Sequence, residues 1–112
     1  MDKGIPEFAT PGWIGEDCNL PPEPLIGMVN KYGNKVRLTF KFETDELWIS
    51  TKERTQKLAM SNVKAIVAEP IIHHPEYYVM GLQVGPTEAS LIWFYWVPTQ
   101  YMRAIKRAIL NP

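Results

Sequence analysis

Ser90-Leu91-Ile92-Trp93-Phe94-Tyr95-Trp96-Val97-Pro98-Thr99-Gln100-Tyr101 decides the fold. From Leu91 to Val97 every side chain is apolar or aromatic, the composition of a strand covered on both faces. Ile92, Phe94 and Trp96 fall on one side, and Leu91, Trp93, Tyr95 and Val97 on the other. Pro98 stops the strand and suits the first turn of a helix, where its missing N–H has no partner to lose. From Thr99 onward Tyr101, Ile105, Ala108 and Ile109 share a face opposite Arg103, Lys106 and Arg107. That pattern predicts an amphipathic helix to Leu110, with its cations toward the negative end of the dipole and Asn111-Pro112 as its stop. A last strand feeding a last helix predicts a sheet closed off by that helix.

Six more strands precede it. Leu25 to Asn30 is a short apolar run ended by the turn Lys31-Tyr32-Gly33-Asn34. Val36, Leu38, Phe40 and Phe42 then alternate with Lys35, Arg37, Thr39, Lys41 and Glu43, which is a strand with one wet face. Leu47 to Ser50, Gln56 to Met60 and Val63 to Glu69 follow, the last stopped by Pro70. Ile71 to Glu76, with two histidines and a proline, predicts a loop. Tyr77 to Val84 is a strand with Tyr78, Met80, Leu82 and Val84 together, and Gly85-Pro86-Thr87-Glu88 turns it into the final one. The class is mostly β with one C-terminal α-helix. Seven strands and then a helix is the order of a pleckstrin-homology-like domain, a bent sheet or barrel capped by the helix. Order is an argument about fold and does not supply function.

The chain has 112 residues and 46% hydrophobic residues, enough for one domain. Five of its ten prolines stand in residues 1–24. That stretch reads as a proline-rich linker or docked arm before the domain at 25–112, with Trp13, Ile14 and Leu20 as anchors on an apolar face. Twelve basic residues balance twelve acidic ones, so no overall field favours nucleic acid or anionic lipid. A lone Cys18 excludes an intrachain disulfide, and no run has signal-peptide or membrane-spanning length. These features predict a soluble intracellular protein, cytoplasmic or nuclear, acting as a monomer.

Val36-Arg37-Leu38-Thr39-Phe40-Lys41, Leu47-Trp48-Ile49, Thr51-Lys52-Glu53-Arg54-Thr55, Glu69-Pro70-Ile71, Gly85-Pro86-Thr87-Glu88-Ala89-Ser90 and Tyr95-Trp96-Val97-Pro98-Thr99-Gln100-Tyr101 together resemble the C-terminal domain of the ubiquitin-family-domain-containing proteins, or ubiquitin-binding-protein homologues. Gly4-Ile5-Pro6-Glu7-Phe8 has the look of a cloning scar, but Asp2 to Glu7 is similar to the linker that precedes the domain in that family. Members carry an N-terminal ubiquitin-like domain, and nothing before Leu25 is long enough to form one. The resemblance implies a ubiquitin-pathway adaptor linked to NF-κB signalling, with a protein partner and no catalytic residues to carry over.

The residues agree that chemistry is not the task. His73 and His74 are adjacent in an extended chain and point apart, which disfavours one metal ion. Cys18 lacks a helix N-terminus or base to activate it. No nucleophile elbow or phosphate loop is present, and no cofactor is expected. Two binding readings remain. The turns Thr51–Thr55 and Gly85–Ser90 predict a protein-recognition surface of Lys52, Glu53, Arg54, Pro86, Thr87 and Glu88. Trp48, out of phase with Leu47 and Ile49, joins whatever apolar patch stays open. Plain turn chemistry explains the same residues without a partner. Alternatively, Lys31, Lys35 and Arg37 have the spacing of a phosphoinositide signature and converge on a phosphate, although a wet strand face needs polar residues anyway.

Overall fold

Alternation drives Val36 and Leu38 of β2 (Lys35–Lys41) inward and leaves Lys35 and Arg37 in water. The computed structural model describes residues 4–110, apart from the side chain of Glu88. Around β2 stand β1 (Leu25–Val29), β3 (Glu46–Ser50), β4 (Thr55–Ala59), β5 (Ala65–Ile71), β6 (His74–Gln83) and β7 (Leu91–Pro98), all antiparallel, and then helix α1 (Met102–Leu110). The sheet order is β4-β3-β2-β1-β7-β6-β5. β1 and β7 are joined in register at Val29–Tyr95 alone. Leu38, Leu47 and Met28 from one half nonetheless share a core with Met80, Leu82, Phe94 and Val97 from the other. The sheet is therefore folded on itself, and Met102, Ile105 and Ile109 of α1 pack into the same core. No helix among the described residues is long and apolar enough to cross a membrane.

Five local expectations are corrected. The alternation after Lys31–Asn34 breaks two residues early: Phe42–Thr44 is a 3₁₀ turn, closed by Asp45 at φ 56°, and Phe42 stands 61% exposed, stacked on Phe40 at 6.2 Å. Aspartate tolerates that left-handed geometry, so the turn forms there. Met60 leaves its strand and leads a second 3₁₀ turn, Met60–Asn62, where it is buried. Pro70 does not stop β5: it sits in the ladder opposite Tyr78, because β5 is an edge strand and a missing N–H on the open side breaks no bond. The predicted 71–76 loop is instead a tight hairpin, with Ile71 opposite His74 and His73 at φ 70°.

The fifth correction concerns β7. Met80 pairs with Phe94 and Tyr78 with Val97, so between the pairs one residue of β6, Val79, stands against two of β7, Tyr95 and Trp96. Trp96 takes φ 68° in the resulting bulge, uncommon for a bulky side chain. The bulge reverses the phase: Ile92, Phe94 and Val97 enter the main core, whereas Trp96 joins Tyr77 and Ile71 in a second cluster on the other side. Tyr77 and His74 meet the Trp96 ring edge-on, each at 5.5 Å.

That second cluster lies under the segment before β1. Ala9 packs on it, and burial pushes the Tyr77 phenol up, its hydroxyl donating to the Thr10 carbonyl at 2.8 Å. The Thr10 hydroxyl donates to the Ile26 carbonyl at 2.9 Å. Gln100, the residue after the chain leaves β7 for a 3₁₀ turn (Thr99–Tyr101), is 1% exposed. It accepts the Trp13 N–H at 3.1 Å and donates to the Pro11 carbonyl at 2.9 Å, while its own carbonyl accepts the Cys18 N–H at 2.8 Å. Trp13 and Ile14 do not anchor through their side chains, which are 42% and 63% exposed. Backbone groups make the attachment, with Leu20 reaching the main core.

Candidate functional site

Two tight turns shape one end of the sheet, away from α1. In the β1–β2 turn the Asn30 carboxamide oxygen accepts the N–H groups of Tyr32 and Asn34, at 2.9 and 3.0 Å, and the Asn30 N–H donates to the Asn34 carbonyl at 2.9 Å. In the β3–β4 turn Thr51 N–H donates to the Arg54 carbonyl at 2.9 Å, and Glu53 N–H to the Thr51 hydroxyl at 3.3 Å. With their backbones satisfied locally, both turns hold their long side chains outward.

Between these turns and the first half of β7 lies a cleft of about 360 Å³. Its walls are apolar (Val36, Ile49, Ile92), and Lys31, Tyr32, Glu53 and Arg54 line it too. The Trp93 indole lies on the other face of β7, over Gly81 of β6, where a Cβ would fall 2.9 Å from the ring. An apolar slot with a few charged groups is the usual build of a site that holds a side chain or small group.

The predicted residues divide. Glu53 and Arg54 line this cleft, and Lys52 lines a neighbouring depression with Glu53, Asn34 and Lys35. Pro86 and Thr87 are exposed in the β6–β7 turn, where Ser90 N–H donates to the Thr87 carbonyl at 2.9 Å, and they line neither cavity. The Glu88 side chain lies outside the described residues. Trp48 stands on the solvent face of β3, with Lys57 and Lys41 ammoniums 4.4 and 4.8 Å from its ring centroid. Its indole N–H donates to Glu46 at 3.1 Å. That bond, then the Thr44 hydroxyl and the Lys57 charge, holds the Glu46 carboxyl below its usual range. Lys31 lies 5.3 Å from the Tyr32 centroid on the cleft, Lys35 4.6 Å from the Phe8 ring, and Arg37 lines neither cavity. Ile92 is legible in sequence only as part of a strand apolar on both faces, one of which could stay open for a partner, and Tyr32 is the cleft residue that sequence reasoning passes over, since in its turn it reads as plain turn chemistry.

A family model described as the C-terminal PH-like domain in UBFD1 matches residues 1–111. Two curated relatives are each 57% identical over 111 residues, 99% of this chain: the human and mouse proteins named Ubiquitin domain-containing protein UBFD1. The aligned region is 36% of the human protein and 30% of the mouse one, so the chain spans about a third of the length of the curated relatives it matches. No solved structure matches it.

Proposed function

Because this chain belongs to the family of C-terminal PH-like domains in UBFD1, we propose that it is a non-catalytic protein-interaction module whose binding surface is the cleft between the β1–β2 and β3–β4 turns. The observation behind this reading is the apolar slot of Val36, Ile49 and Ile92 beside Lys31 and Arg54 on tight turns. Such a slot holds an apolar side chain of a partner while the two cations meet acidic groups flanking it. Lys52, Pro86, Thr87 and Glu88 extend the surface along the same reading. Residues 1–24 act as an arm docked on the domain at 25–112, supported by the bonds to Gln100 and Tyr77. The finer role is that of a monomeric intracellular adaptor of the ubiquitin pathway, connected to NF-κB signalling, which the family resemblance supports.

A photo-crosslinking residue at exposed Tyr32 tests the surface. Discrete protein adducts in cells are expected there, lost in a Lys52→Glu/Arg54→Glu variant with unchanged melting temperature. Equal adducts from a crosslinker at Ile72, exposed in the β5–β6 turn, would sink the reading. One observation favours a second reading: Lys31 and Arg54 line the same cleft, and Lys35 lines the depression beside it. If vesicles containing phosphoinositide bind the chain with steep salt dependence, and the Lys31/Lys35/Arg37→Glu variant does not bind, the cleft serves a lipid headgroup instead.

A further inference from the structure

β4 ends the sheet, with β3 on one side and no strand paired to its other side among the described residues. Bonded and non-bonded pairs alternate along an antiparallel ladder. Thr51 N–H bonds to the Arg54 carbonyl at one end, and Met60 N–H to the Asp45 carbonyl at the other, each at 2.9 Å. Counting inward, Ser50–Thr55, Trp48–Lys57 and Glu46–Ala59 are the non-bonded pairs. The N–H and C=O groups of Thr55 and Lys57 therefore point away from β3, and both residues are exposed. β5, the opposite edge, carries Pro70, which has no N–H to offer.

Charge is divided along this edge. At the Thr55 end stand Lys52, Arg54 and Lys57, with Arg37 across the sheet on the Ser50 position and Glu53 the acid in the turn. At the Ala59 end stand Lys41, Glu43, Asp45 and Glu46, the last already bonded to Trp48 and Thr44. The outward amides on fully exposed residues, Thr55 and Lys57, thus lie toward the basic end, whereas that of half-buried Ala59 lies at the other, and Trp48 pairs with Lys57 on the solvent face.

We propose that the Thr55–Lys57 edge of β4 takes an extended acidic peptide as an additional strand, its carboxylates meeting Lys57 beside Trp48 and the turn cations Lys52 and Arg54. The proposal rests on the reading of the chain as a protein-binding module but uses a different surface from the cleft. Main-chain bonds supply affinity in strand addition, and side chains on alternate positions supply choice. A lysine on an edge also deters pairing between copies of the same chain, and the same charge favours an acidic strand.

The probe is an acetylated decapeptide of alternating Glu and Val, with the Lys–Val counterpart as control, followed by amide NMR of the chain. Shifts at Thr55 and Lys57 are expected with the acidic peptide and not the basic one. Lys57→Ala removes the charge and its contact with the Trp48 ring but keeps the outward N–H, and weakens binding several-fold. Lys57→Pro also removes the outward N–H while sparing the bonds to β3, so it weakens binding about tenfold further. Thr55→Pro removes the neighbouring outward N–H and provides the same reading if Lys57→Pro misfolds. Equal binding by Lys57→Ala and folded Lys57→Pro, binding by folded Thr55→Pro equal to that of the parent, equal binding of both peptides, or shifts confined to Tyr32, Arg54 and Ile92 overturns the proposal. The last result leaves the cleft reading standing, and loss of the Tyr32 adducts leaves this one standing.

Discussion

Gly27→Ala is expected to cost the folded chain about 2–4 kcal/mol, read as a lower midpoint in urea or heat. Two separate penalties add. Gly27 holds φ +91° where β1 changes register against β2, and an L side chain in that geometry costs about 1–2 kcal/mol. The new Cβ would also lie 2.4 Å from the Thr10 backbone nitrogen and 2.9 Å from its hydroxyl, so the arm must move. Moving it stretches the bonds from Thr10 to Ile26 and from Tyr77 to Thr10, each worth about 1 kcal/mol net. Removing residues 1–20 takes Thr10 away and leaves only the first penalty. A double-mutant cycle should therefore show coupling of about 1–2 kcal/mol. Equal costs with and without the arm would mean that Thr10 does not press on β1.

The strands were legible wherever one face is wet. β2 announces itself because Val36 and Leu38 alternate with Lys35 and Arg37, and solvent contrast writes the period into the residues. β7 lacks that contrast. With both faces apolar, nothing local marks the extra residue that sends Val97 inward and Trp96 outward, and only pairing with Tyr78 and Met80 fixes it. Pro70 and the 71–76 hairpin were misjudged for the same reason. Whether a proline breaks a strand depends on its place at an edge, and sheet order is not a local property.

The candidate site was half legible. Glu53 and Arg54 stood out as charged residues in a turn, since turn chemistry is local. Ile92 reads in sequence only as an apolar residue on a crowded strand, because its role needs two distant turns around it. Trp13 and Ile14 looked like anchors from hydrophobicity alone, yet the arm is held by backbone groups that every sequence possesses. The specificity lies in the side chains that meet them, Gln100 and Tyr77.

Gln100→Leu should therefore be among the most damaging polar substitutions in the chain, at about 2–4 kcal/mol. The side chain is buried and uses both ends, accepting from Trp13 N–H and donating to the Pro11 carbonyl. Leucine keeps the volume and leaves both backbone groups facing hydrocarbon, at about 1–3 kcal/mol each unless the arm lifts into water. Lifting is visible: the segment around Trp13 becomes open to protease, and Ala9 leaves the Trp96 cluster. Gln100→Glu separates the polar contribution from shape. Its carboxylate still accepts from Trp13 but turns a second acceptor toward the Pro11 carbonyl, so the buried charge is disfavoured and its pKa rises on folding. The folded state then binds more protons than the unfolded one, and this variant loses stability as pH rises from about 4 toward 7. The leucine variant adds no such pH dependence. Removing residues 1–20 should abolish most of both effects, since the groups that Gln100 serves are then gone. A leucine variant as stable as the parent, with its arm equally resistant to protease, would show that Gln100 does not hold the segment down.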